Sequence, residues 1–160
     1  WAADHGVRIV SGSPIRAVSE IVPGLHVGGQ HRSRGWPRLT ARGVTAVVNL
    51  RDEFDDQIAG LAPKRYLYLP TIDDEAPTLE QMQSGVDFIA EELQNGGSVY
   101  VHCKSGVGRA AIMAAAYLTS TGLEPADAWA AVEKVRPFIR PTPAQVAQLE
   151  RFAAGAQPVD

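Results

Sequence analysis

The chain has 160 residues, of which 45% are hydrophobic and 21% charged, and a formal net charge of −3. This size predicts one soluble domain with its own core, and the mildly acidic charge argues against the basic surface typical of nucleic-acid binding. A single cysteine excludes an internal disulfide, which suits a reducing compartment.

No apolar run approaches the ~20 residues that span a bilayer, and no secretory signal is visible. We therefore expect a cytoplasmic protein with no membrane span in this chain. The chain begins at Trp1 rather than Met, so an upstream segment that carries targeting or an anchor is compatible with the sequence. Nothing indicates the oligomeric state, and we expect neither a metal nor another cofactor.

The length predicts a single domain over residues 1–160, with residues 1–20 as a peripheral extension. Within the extension, residues 7–10 are a weak candidate for an edge strand. A proline-glycine turn then precedes a short strand at residues 25–27. His26 alternates with its apolar neighbours on this strand, so we expect it to be exposed.

A short helix is predicted over residues 33–42, followed by a central strand within the apolar run of residues 44–50. Arg51 follows that run, and ligands gather at the carboxyl ends of strands in α/β sheets. One interpretation is that Arg51 helps to hold an anionic substrate. The alternative is a surface arginine paired with Asp55 or Asp56.

The next strand is predicted at residues 65–69, with Pro70 ending it. The clearest helix covers residues 78–95, because its apolar residues recur at alternating steps of three and four. Thr78 and Gln81 have the spacing of a capping box at its start.

One more strand and three helices follow. The strand is predicted at residues 99–101, and the helices at residues 112–118, 125–136 and 142–153. We expect Ala128, Ala131, Val132 and Val135 to face inward and Trp129 and Phe152 to be core anchors. Strands that alternate with helices indicate an α/β domain with a mainly parallel central sheet flanked by helices.

The loop between residues 103 and 109 has the features of an anion site. Its glycines let successive amides converge on one oxyanion, and the first amides of the following helix are free to bind one. Arg109 adds a guanidinium that can hold two phosphate oxygens. The positive electrostatic field of these amides and of Arg109 also favours the thiolate form of Cys103. The alternative is that Cys103 is an ordinary buried small residue.

A His-Cys pair, five residues and then Arg resembles the signature of the cysteine-dependent protein tyrosine phosphatase superfamily, in particular its dual-specificity phosphatase branch. The resemblance covers residues 21–152 and implies the phosphotyrosine phosphatase fold. It assigns phosphate binding to Lys104, Ser105, Gly106, Val107, Gly108 and Arg109.

Cys103 is the predicted nucleophile, which would form a phosphocysteine, and the resemblance makes His102 a buried support for the cysteine backbone. The leaving group needs a proton from an acid on a separate loop. In phosphatases that resemble this chain the acid lies about thirty residues before the cysteine, which fits Asp73 and, as the alternative, Asp74. These acids would otherwise cap the following helix.

Two further positions, Ala110 and Gln145, bear on the predicted mechanism. Most relatives have Ser or Thr after the loop arginine, whereas this chain has Ala110, as do the slow phosphatases of regenerating liver. We expect breakdown of the phosphoenzyme to limit turnover. Gln145 occupies a position that orients water in some relatives, but we expect it to be only a capping residue.

The leading hypothesis is a phosphomonoester phosphatase acting on phosphotyrosine and phosphoserine or phosphothreonine in proteins. Lys104 and Arg51 leave open a non-protein substrate such as a phosphoinositide or phospholipid head group. A second functional class is a weakly active module that binds phosphorylated partners. Ala110 is the only feature of the sequence that favours it. A rhodanese-like sulfurtransferase is a third, against which the interval to Arg109 argues.

Overall fold

The computed structural model of the protein describes residues 18–155. The strands are β1 (Ser19–Val22), β2 (Leu25–Gly28), β3 (Ala46–Arg51), β4 (Arg65–Thr71) and β5 (Val99–His102). The helices are a 3₁₀ turn (Ser33–Gly35), α1 (Trp36–Ala41), α2 (Leu79–Gln94), α3 (Arg109–Ser120), α4 (Pro125–Val135) and α5 (Pro143–Ala153). The strand predicted at residues 7–10 lies outside the described residues.

The five strands form one sheet in the order β1-β2-β5-β3-β4. β2, β5, β3 and β4 run parallel to one another, and β1 pairs antiparallel with β2 at one edge. The predicted α/β architecture with a mainly parallel sheet is therefore confirmed. β5 is the middle strand, so the loop after its carboxyl end lies at the middle of that edge of the sheet.

Residues of the central strands alternate between two apolar layers. Val47 and Tyr100 pack with Leu39 of α1 on one face of the sheet. The larger layer, on the other face, contains Val48 and Val101 together with the buried side of α3. α3 contacts α2, α4 and α5 as well as three strands, which explains why most of its residues are fully buried.

The capping boxes predicted for α2 and α5 are confirmed. Thr78 accepts a hydrogen bond from the amide of Gln81, whose side chain accepts one from the amide of Thr78. Thr142 and Gln145 make the same reciprocal pair at α5. Each pair satisfies amides that the helix itself leaves without partners.

Two strand predictions are wrong in detail. β4 continues through Pro70 to Thr71, because β4 is an edge strand and an edge tolerates the missing amide of proline. His26 is 1% exposed rather than exposed, since β2 lies between two other strands, and its Nε2 is 2.9 Å from Glu20 Oε2.

The helices also depart from the prediction at a few positions. α3 begins at Arg109, three residues before the predicted start, because the loop turns directly into the helix. Val135 is 42% exposed and does not face inward, while Ala128 and Val132 are buried. Trp129 and Phe152 pack against the core but stay partly exposed. Within residues 18–155, every helix is too short or too polar to cross a membrane.

Candidate active site

The loop predicted to bind an anion joins β5 to α3 at the centre of the sheet. Cys103, the first residue after the strand, is 3% exposed. The amide of Gly106 donates to its Sγ at 3.2 Å, an interaction that is strongest with a thiolate. Gly106 has a φ of +70°, a conformation that residues with a side chain rarely adopt. The glycine thus lets the chain curl back over the sulfur.

The sulfur of Cys103 lies at a pocket of about 230 Å³ that is lined by residues of three separate loops. Its lining consists of Asp73, Asp74, Cys103, Lys104, Ser105, Val107, Gly108, Arg109 and Arg140. The structure therefore brings together the predicted nucleophile, the predicted acids and most of the predicted phosphate-binding residues. Gly106 is buried behind this lining.

Arg109 is held by a carboxylate that the sequence analysis did not assign to the site. Its Nη1 donates to Glu53 Oε1 at 2.8 Å and to the Thr71 carbonyl at 2.8 Å, and its Nη2 donates to Glu53 Oε2 at 3.2 Å. Its Nε is buried and has no hydrogen-bond partner among the described residues. The contacts with Glu53 and Thr71 therefore leave this nitrogen without a protein partner in the part of the chain that the structure describes.

The same ion pair shifts both pKa values. Burial raises the pKa of Glu53, but hydrogen bonds and the charge of Arg109 outweigh it and hold that pKa at about 2. Burial lowers the pKa of Arg109, and the Glu53 carboxylate with the nearby Cys103 and Asp73 raises it on balance. Both groups are consequently charged across the physiological range.

The two aspartates of the acid loop have different surroundings. Asp73 Oδ1 lies 3.5 Å from Arg109 Nη2 and accepts from the amide of Asp74 at 3.1 Å. Asp74 has a φ of +66°, and its carbonyl accepts from Thr142 Oγ1 at 2.9 Å. This geometry favours Asp73 as the acid, since its carboxylate is the one beside the guanidinium. The helix-cap interpretation is wrong, because the cap of α2 is Thr78.

Behind the cysteine, His102 is buried between two acceptor oxygens. Its Nε2 lies 2.5 Å from Asp56 Oδ2 and its Nδ1 lies 3.1 Å from the carbonyl of Cys103. Burial raises the pKa of Asp56. The hydrogen bond and charge of His102, together with a hydrogen bond from Gln30, outweigh this effect and lower the pKa below its usual value. The chain of contacts supports the predicted role of His102 in ordering the cysteine backbone.

His31, Asp56 and His102 offer ligand atoms within 4.8 Å of one another, so they are the group within the described residues that could hold a metal ion. A shared ion bound at ~2 Å to both partners would keep the Asp56 and His102 atoms about 3 Å apart. Their separation is 2.5 Å, which fits a direct hydrogen bond. The cluster is therefore better described as a hydrogen-bonded support than as a metal site.

Arg51 pairs with Glu53 and Gln30 and not with the carboxylates predicted for it. Its Nε lies 3.2 Å from Glu53 Oε2, and its Nη1 donates to Gln30 Oε1 at 3.0 Å. The predicted pairing with Asp55 or Asp56 is wrong, because those carboxylates bind Tyr66 and His102 instead. Arg51 also lies outside the residues that line the cysteine pocket.

Gln145 is more than the start of a helix. Its Nε2 donates to the carbonyl of Glu75 at 3.1 Å, which ties α5 to the acid loop. A side chain at Gly108 would meet the Gln145 amide at 3.1 Å, so this amide also lies directly beside the phosphate loop. Ala110 is fully buried in the first turn of α3.

Sequence reasoning missed four charged residues around the loop: Glu53, Asp56, Arg136 and Arg140. Glu53 lies two residues after the end of β3, and polar residues at the carboxyl end of a central strand are a signal for a site. Arg136 is 0% exposed and donates to loop carbonyls. The sequence offers no comparable signal for Arg136, which reads as the ordinary basic end of a helix.

Comparison with known proteins agrees with this geometry. The family model for the dual specificity phosphatase catalytic domain matches residues 25–154. The human phosphatidylglycerophosphatase and protein-tyrosine phosphatase 1 is 33% identical over 118 residues, which cover 68% of this chain and 59% of that protein. The human dual specificity protein phosphatase 1 is 30% identical over 135 residues, covering 83% of this chain and 36% of that protein.

Solved structures share the fold. PTPMT1 in complex with PI(5)P superposes with a TM-score of 0.79 at 27% identity, covering 87% of this chain and 96% of that one. This chain spans only about a third to three fifths of the two human relatives compared above.

Proposed function

The chain belongs to the family of dual-specificity phosphatase catalytic domains, and we propose that it hydrolyses phosphate monoesters through a phosphocysteine intermediate. The observation that carries this proposal is the position of Cys103. Its sulfur receives an amide hydrogen bond at 3.2 Å and shares one pocket with Arg109 and Asp73.

In the first step, the thiolate of Cys103 attacks phosphorus while Arg109 and the loop amides hold the three equatorial oxygens. The bond from phosphorus to the ester oxygen breaks, and Asp73 gives that oxygen its proton. In the second step a water molecule attacks the phosphocysteine, Asp73 takes a proton from it, and the sulfur leaves as thiolate. Phosphate and the starting enzyme result.

We propose phosphotyrosine, with phosphoserine and phosphothreonine, in proteins as the substrates. The test compares phosphate release from matched phosphotyrosyl, phosphoseryl and phosphothreonyl peptides by the wild type and Cys103→Ser. Wild-type release that the variant lacks supports the proposal. An acid-quenched reaction should also show Cys103 heavier by one phosphoryl group. Release that persists in Cys103→Ser contradicts the mechanism.

A lipid-derived phosphomonoester is the second candidate. Lys104 and Arg140 are exposed residues that line the pocket, and their charges suit a head group with more than one phosphate. One human relative is named a phosphatidylglycerophosphatase, and PTPMT1 has been solved with PI(5)P. Asp73 and Asp74 line the same pocket and offset part of this positive charge.

The two substrate classes can be separated by one comparison. PI(5)P and phosphatidylglycerophosphate in mixed micelles are assayed beside the phosphotyrosyl peptide, with the wild type and Lys104→Ala. A lipid phosphatase should have the higher kcat/KM on a micellar substrate and lose it preferentially in Lys104→Ala. A peptide preference that Lys104→Ala leaves in place supports the protein substrate.

A module that only binds phosphorylated partners is the less favoured alternative. The chain retains the cysteine, the arginine and an acid in one pocket, and only Ala110 departs from the phosphatase pattern. Loss of aryl phosphate hydrolysis in Cys103→Ser, measured against an active wild type, would exclude it.

A further inference from the structure

Arg136 lies behind the phosphate loop with its guanidinium fully buried. Its Nη2 donates to the carbonyl of Ser105 at 2.9 Å and its Nε donates to the carbonyl of Gly106 at 2.7 Å. Its Nη1 donates to Ser19 Oγ at 3.1 Å. A planar guanidinium therefore joins two consecutive carbonyls of the loop to the hairpin of β1 and β2.

The direction of these two carbonyls fixes the direction of two amides. In a trans peptide the C=O and the N–H of one unit point in opposite directions. The carbonyl of Ser105 points to Arg136, so the amide of Gly106 points the other way, and it does so onto Cys103 Sγ at 3.2 Å. By the same geometry the Gly106 carbonyl directs the amide of Val107 away from Arg136.

The neighbouring peptide units follow the same rule but use other partners. The carbonyl of Lys104 accepts from the amide of Gln30 at 3.0 Å, and the carbonyl of Val107 accepts from the amide of Arg140 at 2.7 Å. Backbone donors thus hold the two ends of the loop. The middle of the loop, which contains the glycine at φ +70°, is held by a side chain.

Gly106 shows a second adaptation to this contact. A Cβ at Gly106 would lie 2.7 Å from Arg136 Nη2 and 2.6 Å from the backbone of Gly28. The absence of a side chain lets the guanidinium reach the loop. Glycine is also the residue whose peptide units turn over most easily, so this part of the loop needs an external restraint.

We propose that Arg136 is a positioning residue for the phosphate-binding loop, which it holds with the amides of Gly106 and Val107 directed at the sulfur and at the substrate phosphate. The proposal rests on the proposed function of the loop. A charged donor on a carbonyl also polarises the peptide unit, which strengthens the amide on its far side. Arg136 itself touches neither the substrate nor the reacting atoms.

The test uses Arg136→Met, which removes the donors, and Arg136→Lys, which keeps the charge but lacks the planar fork. Arg151→Met, an exposed arginine of α5, is the matched control. Three quantities are measured: the pH profile of Cys103 alkylation by iodoacetamide, the inhibition constant of orthovanadate and the thermal unfolding temperature.

We expect Arg136→Met to move the midpoint of the alkylation profile up by about one pH unit and to weaken vanadate binding at least about tenfold, since hydrogen bonds to a charged group are lost. Arg136→Lys should fall between this variant and the wild type. Arg151→Met should match the wild type in both.

A lower unfolding temperature with an unchanged alkylation profile and vanadate constant would overturn the proposal, because Arg136 would then only stabilise the fold. Should Arg136→Met not fold, a wild-type profile in Arg136→Lys would overturn it equally. Failure of the proposed function looks different, because the wild type itself would then release no phosphate and bind no vanadate.

Discussion

Arg109 and Glu53 form a two-point ion pair, with Nη1 and Nη2 at 2.8 and 3.2 Å from the two carboxylate oxygens. The guanidinium is 1% exposed and the carboxylate 38% exposed. This pairing occupies one edge of the guanidinium and leaves Nε facing elsewhere. Glu53 thereby sets the orientation of the Arg109 guanidinium in the pocket.

Glu53→Gln is expected to lower kcat/KM for an aryl phosphate about tenfold, because a neutral amide offers only one acceptor to two guanidinium donors. The loss should appear mainly in kcat if the orientation matters most in the transition state. Steady-state kinetics with para-nitrophenyl phosphate measure both constants. The control is Glu133→Gln, an exposed position of α4, and equal activity of the two variants would contradict the role of Glu53.

Asp73→Asn should lower kcat/KM, which reports the step that releases the leaving group, by about 10²- to 10³-fold on phenyl phosphate, whose leaving group needs a proton, and much less on para-nitrophenyl phosphate. Asp74→Asn is the matched control, since asparagine readily adopts the positive φ that Asp74 has. A dependence on the leaving group that appears in Asp74→Asn instead would assign the acid to Asp74.

The loop from Cys103 to Arg109 was predictable because its conformation depends on residues that are close together in the sequence. Cys103 and Arg109 lie at a fixed interval between a strand and a helix, and the glycines between them specify the backbone. The capping boxes of α2 and α5 are local for the same reason, and both are confirmed.

The predictions that were wrong or incomplete concern features that depend on contacts between distant segments of the chain. The burial of His26 follows from the position of β2 between β1 and β5, which the local alternation of residues does not reveal. Glu53 and Arg136 reach the loop from 56 and 30 residues away. Their types are common on surfaces, so only the tertiary contact distinguishes them.

Ala110→Ser should raise the steady-state rate, and the wild type should show a burst of product followed by slower turnover. The hydroxyl at the start of α3 can donate to the departing sulfur and stabilise the thiolate. Rapid-mixing kinetics with para-nitrophenyl phosphate measure the burst. Ala111→Ser makes the same change one residue later and should give no gain. No burst in the wild type and no gain in Ala110→Ser would contradict this limitation of turnover.

His31 links stability to pH. It is fully buried, its Nε2 lies 3.0 Å from the carbonyl of Leu61, and its ring is 5.3 Å from that of His102. Burial and the neighbouring His102 lower the pKa of His31 from 6.5 to about 4, against smaller opposing effects of Asp56 and Leu61. Between these two values the unfolded chain binds a proton at this position that the folded chain does not.

The free energy of unfolding should therefore fall as the pH decreases from 6.5 to 4, because protonation then favours the unfolded state. The contribution of His31 over this range is on the order of 3 kcal/mol. His31→Gln keeps a donor for the Leu61 carbonyl and removes the titrating group, so its stability should depend less steeply on pH. Urea unfolding at several pH values measures both slopes, and parallel curves for the wild type and His31→Gln would show that His31 does not carry this dependence.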